Sequence, residues 1–377
     1  MKIVYCIHSV YNPGGMERVL LNKVHWLVNH GHQVSVVTTD QKGRPAFYPF
    51  PKQVRFTDFG INYSDDNTLS TLKKVTGFMR RRRRHRRMLS EYLYNERPDL
   101  TISLYPCESS FIPSIKDGSR KILEFHYSKN FRLQYGRSGL MGMLDKWRTR
   151  ADESLMKRFD RFVVLTHEDA ADWNGAENIA VIPNAAMRLA ESTADCKSKR
   201  VIAVGRLDYQ KGFDRLIEAW KRIKQSGRCD LWRLDIFGQG EWEESLNRQI
   251  ADYGIEDSVK INRPVKNIAA EYCNSSLLVM SSNYEGFPMV MIEAMGMGLP
   301  VVSFDFKCGP RDIINDGRNG LIVPNGDIDR LAESMMKVME NDNLRCNMGR
   351  EAVKVVETYS EAAVMKMWTD LFEEVLN

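Results

Sequence analysis

Residues 281–296 read Ser281-Ser282-Asn283-Tyr284-Glu285-Gly286-Phe287-Pro288-Met289-Val290-Met291-Ile292-Glu293-Ala294-Met295-Gly296. The apolar run before them, 277–280, is short and unbroken, as a strand buried on both faces is. A loop then carries Glu285 and Gly286, and Pro288 is expected at N1 of a new helix, where a missing N–H costs nothing. The open N–H groups of that helix start, beside a residue with no side chain, make a cradle for an anion. Glu293 stands on the helix just over one turn in. Side chains tilt toward a helix's N-terminus, so its carboxylate can reach back toward whatever the cradle holds. Two carboxylates flanking an anion site suit the gripping of hydroxyls. No cation is spaced locally to pair with Glu293, which favours a functional reading over a structural ion pair.

The same strand, loop, helix unit recurs outward from this stretch. Upstream, a strand over 201–204 ends in Gly205-Arg206-Leu207-Asp208-Tyr209-Gln210-Lys211-Gly212, and a helix follows over 213–226. A fork-shaped guanidinium and a point-like ammonium five residues apart at such a loop suit a diphosphate, although exposed cations of no special role would look alike. Strands at 234–237, 259–261, 301–303 and 321–323 alternate with helices at 241–253, 288–297 and 327–340. Phe237-Gly238-Gln239-Gly240 is suggestive but falls short of a dinucleotide fingerprint.

The first half repeats the pattern. Strands at 1–7, 34–38, 100–104, 121–125, 162–165 and 180–182 are separated by segments of crossover length. Gly14-Gly15 sits between the first strand and the first helix, where bare backbone could approach an anion or merely make a tight turn. Periodicity disappears over 187–199, the expected linker, and 360–376 reads as an amphipathic helix carrying Trp368, Leu371 and Phe372. The expectation is an α/β protein of two doubly wound parallel-sheet domains: residues 1–190, residues 191–358, and a final helix at 359–377. Ligands are expected at the carboxyl ends of the strands.

The chain has 377 residues, enough for two cores. Its first 190 residues carry 30 Lys and Arg against 19 Asp and Glu, the remainder 24 against 30. The basic half suits an anionic partner. Seven scattered cysteines, an odd number without metal spacing, read as reduced thiols. No apolar run approaches the ~20 residues of a membrane span, and the apolar opening is too short for a signal-peptide core. The expected location is the cytoplasm, with peripheral attachment to a membrane left open.

One segment is of low complexity: Arg80, Arg81, Arg82, Arg83, Arg84, Arg86 and Arg87, with His85 among them, inside a helix expected over about 69–95. It is either a solvated helix face or a patch for anionic headgroups, where each exposed basic residue is worth about 1 kcal/mol. No nucleic-acid-reading module accompanies it, so no nucleic-acid partner is expected.

Taken together these motifs resemble the retaining glycosyltransferases of family 4. The resemblance rests on Glu285-x7-Glu293 within Glu-Gly-Phe-Pro, on Gly205-Arg206-Leu207-x3-Lys211-Gly212, on Gly14-Gly15 and on Val181-Ile182-Pro183-Asn184. It runs on through Gly296-x-Gly298-Leu299-Pro300-Val301-Val302 and Gly309-Pro310-x3-Ile314-x2-Gly317-x2-Gly320. It implies the GT-B fold, two Rossmann-like domains facing across a cleft, the N-terminal one (1–190) holding the acceptor and the C-terminal one (191–358) the nucleotide-sugar, with the last helix crossing back to the N-terminal domain. It also implies transfer of a hexose or N-acetylhexosamine from a nucleotide-sugar, here UDP-linked, to a glycan acceptor on a lipid carrier, in cell-surface polysaccharide or lipopolysaccharide synthesis.

Carried over, Arg206 and Lys211 neutralise the donor diphosphate, Glu293 holds the ribose, Glu285 faces the sugar ring, and His126 stands beside the transferred sugar. Gly14, Gly15, Asn184, Gly205, Gly286, Phe287, Pro288, Met289 and Val290 complete the donor contacts. Those cations and the helix start meet the charge of the departing diphosphate, so no metal or other cofactor is expected. Asp327-Ile328-Asp329 spells a metal-binding triplet, but its place after Asn325-Gly326 reads as a helix N-cap. Three rivals remain: an epimerase or hydrolase of sugar nucleotides on the same fold, a non-catalytic polyanion-binding scaffold, and a Rossmann oxidoreductase, which lacks its fingerprint in both domains. Asp58-Phe59-Gly60 looks like a kinase tripeptide without the supporting motifs. Lys307 and Cys308 depart from the smaller polar residues of the family's donor-side loop, which leaves the sugar's identity open.

Overall fold

The computed structural model describes residues 1–68, 71–133, 138–173, 175–186, 189 and 192–377. Residues 69 and 70, where the arginine-bearing helix was expected to begin, and 187, 188, 190 and 191 of the expected linker lie outside the described residues. The chain divides into two compact units: 1–165 with 172–182 and 365–377, and 166–171 with 183–364.

The first unit is built on a seven-stranded sheet, all of whose pairings are parallel. Its strands are β1 (Lys2–Ile7), β2 (Gln33–Thr38), β3 (Arg55–Asp58), β4 (Leu100–Ser103), β5 (Arg120–Glu124), β6 (Arg161–Val164) and β7 (Ile179–Val181), in the order β3-β2-β1-β4-β5-β6-β7. The order reverses at β1, so the crevice beside β1 and β4 is the topological switch point. β1 and β4 are buried along almost their whole length: β1 is a nearly continuous apolar run, while β4, Leu-Thr-Ile-Ser, buries the small polar Thr101 and Ser103 between its apolar residues.

The edge strand β3 was not foreseen. Its four residues, Arg-Phe-Thr-Asp, are mostly exposed and carry no apolar run, as suits a sheet edge. Asp58 closes this strand and accepts from Thr38 Oγ1 at 3.1 Å, which accounts for the kinase-like tripeptide as a sheet-edge contact.

The second unit has six parallel strands: β8 (Arg200–Val204), β9 (Arg233–Phe237), β10 (Val259–Asn262), β11 (Leu277–Met280), β12 (Val301–Asp305) and β13 (Gly320–Pro324). Their order is β10-β9-β8-β11-β12-β13, with the switch between β8 and β11. The helix Phe213–Gln225 shows how the sheet is covered. Phe213, Leu216, Ile217, Trp220 and Ile223 recur at helical spacing and are all buried, each worth about 1.5–3 kcal/mol. Trp220, wholly enclosed, still donates its indole N–H to Ser258 Oγ at 3.2 Å.

The helix Glu361–Leu376 ends the chain. From Met365 onward it belongs to the first unit, burying Met365, Trp368, Leu371, Phe372 and Val375 along one stripe. Asp327 caps the helix Ile328–Glu340, accepting from the Arg330 N–H at 3.0 Å. All seven cysteines are free thiols.

Candidate active site

In the second unit, the loops after β8, β9 and β11 are locked together by glycines. A Cβ on Gly238 would collide with the Gly205 carbonyl, and one on Gly240 with the Leu207 carbonyl. The bare backbone instead lets Gly205 N–H donate to the Phe237 carbonyl and Leu207 N–H to the Gln239 carbonyl, both at 3.0 Å. The Phe-Gly-Gln-Gly stretch is thus a packing surface for the Arg206 loop. Gly205 serves the same end, since a Cβ there would lie 2.9 Å from the side-chain carbons of Lys211. Lys211 runs over it.

Gly212, at φ +58°, starts the helix Phe213–Gln225, and a side chain there would strike the Ser281 carbonyl. Ser281 Oγ donates to the Lys211 carbonyl at 2.9 Å, and the Asn283 N–H to the Gln210 carbonyl at 2.7 Å. So stitched, the two loops bring Lys211 Nζ to 2.6 Å from Glu285 Oε1. Ser282 Oγ donates to the same oxygen at 2.7 Å, and Gln210 Nε2 donates to Oε2 at 3.0 Å. Glu285 is only 6% exposed, and these three donors meet the requirement that a buried carboxylate be paired.

Arg206 is different. Its side chain is 70% exposed, lies 3.3 Å from Asp208 and donates to Gln210 Oε1 at 2.9 Å. Gln210 thereby links Arg206 to Glu285, which Lys211 meets directly. Gln210 and Ser282 were not singled out from sequence.

The next helix is Met289–Gly296, with Pro288 as its N-cap rather than at N1. Pro288 packs on Gly309, where a side chain would collide with the ring. Gly286, Phe287, Met289 and Val290 follow around that helix start, with Phe287 buried near Tyr359 at 5.7 Å between ring centroids. Asn184 is also buried in this unit. Glu293 is half-buried and does have a neighbour. Burial, and next the Glu293 carboxylate beside it, hold the Tyr272 hydroxyl well above the usual phenol range. Tyr272 lies on another helix, Ile268–Cys273, beyond the reach of local spacing.

The remaining expected residues belong to the first unit. Gly14 caps the helix Gly15–Asn29, and the space a Cβ would take is filled by the Glu17 carboxylate. Gly15 faces open space. His126 follows β5, with Nε2 3.0 Å from Glu124 Oε1. Glu124 also pairs with Lys23, whose ammonium stands 4.4 Å from the centre of the Trp368 ring. Burial alone would raise the Glu124 carboxyl, but Lys23 and then His126 outweigh it and hold it at about 2. Burial pushes the Lys23 ammonium down, with Glu124 opposing. His126 lies two residues beyond Glu124, the last residue of β5, and that i, i+2 spacing could have suggested the pair.

The arginine run lies on the helix Thr71–Glu96. His85, Leu89 and Leu93 form its buried stripe, with His85 against Phe111 and 3.1 Å from the Tyr63 hydroxyl. Arg80, Arg83, Arg84, Arg86 and Arg87 are exposed. The seven do not make one uniform patch: Arg81 and Arg82 are half-buried, and Arg82 Nε donates to Ser110 Oγ at 3.1 Å. Among the described residues no helix is long and apolar enough to cross a membrane.

The sequence matches the family described as glycosyl transferases group 1 over residues 189–355, and that described as glycosyltransferase family 4 over residues 13–186. The chain belongs to the family 4, group 1 glycosyltransferases, and its two parallel-sheet domains are those of the GT-B fold. It is 29% identical over 385 aligned residues to the amylovoran biosynthesis glycosyltransferase AmsD of Erwinia amylovora, covering 98% of this chain and 99% of that one. The fold is similar to that of sucrose-phosphate synthase from Thermosynechococcus elongatus, with a TM-score of 0.80 at 17% identity, over 99% of this chain and 98% of the other. It is also similar to Anabaena HepE, solved in complex with UDP and glucose, with a TM-score of 0.75 at 16% identity, over 99% and 100% of the two chains.

Proposed function

We propose that this glycosyltransferase moves a hexosyl or N-acetylhexosaminyl group from a UDP-sugar, with retention, to a glycan carried on a lipid during cell-surface polysaccharide assembly. The observation that carries the reading is the Lys211–Glu285 pair, held between the loops after β8 and β11 at the switch point of the second sheet. The UDP and glucose of the HepE complex support the donor, and the amylovoran role of AmsD supports polysaccharide assembly.

In this reading Arg206 and Lys211 face the diphosphate and stabilise the charge that develops as it leaves, where pre-placed cations act without reorganising. Glu293 accepts from the ribose hydroxyls, with Tyr272 behind it. Glu285, fixed by Lys211, Gln210 and Ser282, faces the sugar ring. His126, fixed by Glu124, stands beside the transferred sugar. The acceptor hydroxyl attacks the face the diphosphate leaves, and the leaving phosphate takes its proton. No metal ion enters this scheme, because the cations and the helix start at Pro288 carry the charge. The exposed arginines hold the enzyme to the anionic cytoplasmic surface where a lipid-borne acceptor would be.

Calorimetric titration of UDP, GDP, ADP and NAD in EDTA tests the donor site. UDP is expected to bind, and Glu293→Ala to weaken it by about 1–3 kcal/mol, the cost of lost charge-assisted hydrogen bonds. Preference for NAD, or no nucleotide binding, overturns the reading.

A further inference from the structure

In the first unit, the helix Gly139–Met156 joins β5 to β6 with its polarity inverted. Its buried stripe, Asp145, Thr149, Asp152 and Met156, recurs at helical spacing and is mostly polar. Those polar groups find partners close by. Thr149 Oγ1 donates to the Asp145 carbonyl at 2.9 Å, and Asp152 accepts from the Tyr105 hydroxyl at 3.1 Å and pairs with Arg132. The opposite face carries Met143, 68% exposed, and Trp147, 66% exposed, which stand one turn apart and so adjoin on the helix surface. Ala151 continues that line outward, and Met141 is exposed near the helix start. Single exposed apolar residues are ordinary, but a helix that buries carboxylates while presenting a tryptophan and two methionines to solvent carries an interaction surface.

The charge around the apolar strip points to what it meets. Lys146 and Arg150 on one side of it and Arg148 on the other are exposed, and Lys157 and Arg158 follow at the helix end. The acids of the same segment are turned inward or paired: Asp145 and Asp152 are buried, and Glu153 lies 2.6 Å from Lys129. The core of a protein–protein contact is poor in lysine and would have to pair each cation singly. An anionic bilayer instead offers a continuous negative surface over an apolar interior, which a narrow apolar strip between basic flanks matches. An indole suits that boundary, with its ring among acyl chains and its N–H toward the headgroups. Lysine and arginine stems can lie along the apolar layer while their charged ends reach the phosphates.

Topology sets this helix beside the arginine helix. The crossovers from β3 to β4 through Thr71–Glu96 and from β5 to β6 through Gly139–Met156 run in the same direction across the sheet. Right-handed crossovers between parallel strands then put both helices on one face, whereas Gly15–Asn29, whose crossover from β1 to β2 runs the other way, covers the opposite face. We infer that Met143 and Trp147 insert at the headgroup–acyl boundary of an anionic bilayer, with Lys146, Arg148 and Arg150 on the lipid phosphates, as the apolar counterpart of the arginine helix. This deepens the membrane attachment proposed above and rests on it for the presence of a lipid surface.

The test compares full-length wild type, Trp147→Phe, the double variant Met143→Glu with Trp147→Glu, and the charge reversal of Arg83, Arg84, Arg86 and Arg87, with thermal melts to verify folding. Cosedimentation with vesicles of phosphatidylglycerol and phosphatidylcholine measures attachment. Tryptophan fluorescence on vesicles whose phosphatidylcholine carries brominated acyl chains, which quench on contact, measures insertion. The wild type should bind and be quenched. Trp147→Phe should bind within threefold of it yet lose the quenching, and the double variant should bind tenfold or more weakly with its melt unchanged. A double variant that binds as the wild type does, or quenching kept in Trp147→Phe, overturns the insertion. Loss of binding in the arginine reversal alone overturns it too and leaves the arginine attachment standing, whereas loss in the double variant alone overturns the arginine attachment and upholds the insertion. No vesicle binding by the wild type overturns both. A wild-type dimer that the double variant dissociates assigns the face to a second copy and overturns the insertion.

Discussion

Lys211 Nζ donates to Glu285 Oε1 at 2.6 Å, so the cation expected at the diphosphate and the carboxylate expected at the sugar are one buried unit. Neither can be judged alone. Lys211 crosses the bare backbone of Gly205 to get there, which explains why glycine ends β8. The pair ties the chemistry of donor departure to the packing of the two loops.

That coupling should appear in a double-mutant cycle. Lys211→Met leaves the Glu285 carboxylate with only Gln210 and Ser282, and Glu285→Gln leaves a largely buried ammonium unpaired. Each single change is expected to cost about 3–5 kcal/mol in urea unfolding. The double variant, which buries no unpaired charge, should recover much of that stability while sugar transfer stays lost. Additive stability losses would show that the pair is not coupled.

Glu124 should govern part of the protein's acid sensitivity. Its folded-state carboxyl is held at about 2, below the ordinary Glu value of 4.5, by Lys23 and His126 against the opposing effect of burial. A lowered carboxylate pKa stabilises the fold above the unfolded value, and that stability drains as pH falls from about 4.5 toward 2. Glu124→Gln should be less stable at neutral pH, because Lys23 is then buried unpaired, yet lose less stability across the acid window. Parallel acid profiles for the two proteins would refute this.

Two glycines predicted for the same kind of role should behave in opposite ways. Gly238→Ala drives a methyl into the Gly205 carbonyl, parts the loops after β8 and β9, and should destabilise by about 1–3 kcal/mol. Gly15→Ala meets nothing within 4 Å and should melt as the wild type does. If Gly15 is a place of phosphate approach, the same substitution should raise KM for the donor. Equal melting of the two variants would contradict the loop packing.

Much of this was legible in the sequence, where a rule had a local signal. Buried parallel strands announce themselves as apolar runs, and Asp327 as an N-cap by its place after Asn325-Gly326. What was missed is non-local or unpatterned. β3 has no apolar run because it is an edge. Tyr272 reaches Glu293, and Gln210 reaches Glu285, across elements whose proximity only the folded sheet creates. Lys23 and Glu124 are 101 positions apart in sequence. Site residue types are readable because chemistry restricts them, whereas their partners depend on tertiary placement.

The same distinction separates the arginines. Arg83, Arg84, Arg86 and Arg87 are exposed, while Arg82 is half-buried on Ser110. Reversing the charge of these four of the five exposed arginines should abolish cosedimentation with vesicles containing anionic phosphatidylglycerol, at about 1 kcal/mol per basic residue lost, and leave the melt unchanged. Arg82→Ala should instead lower the melting temperature, with little effect on vesicle binding. Raised salt should weaken wild-type binding, because exposed charges are screened beyond about 10 Å at 0.1 M. If the four-residue variant binds vesicles as the wild type does, the helix is a solvated face, and its charge serves solubility rather than attachment.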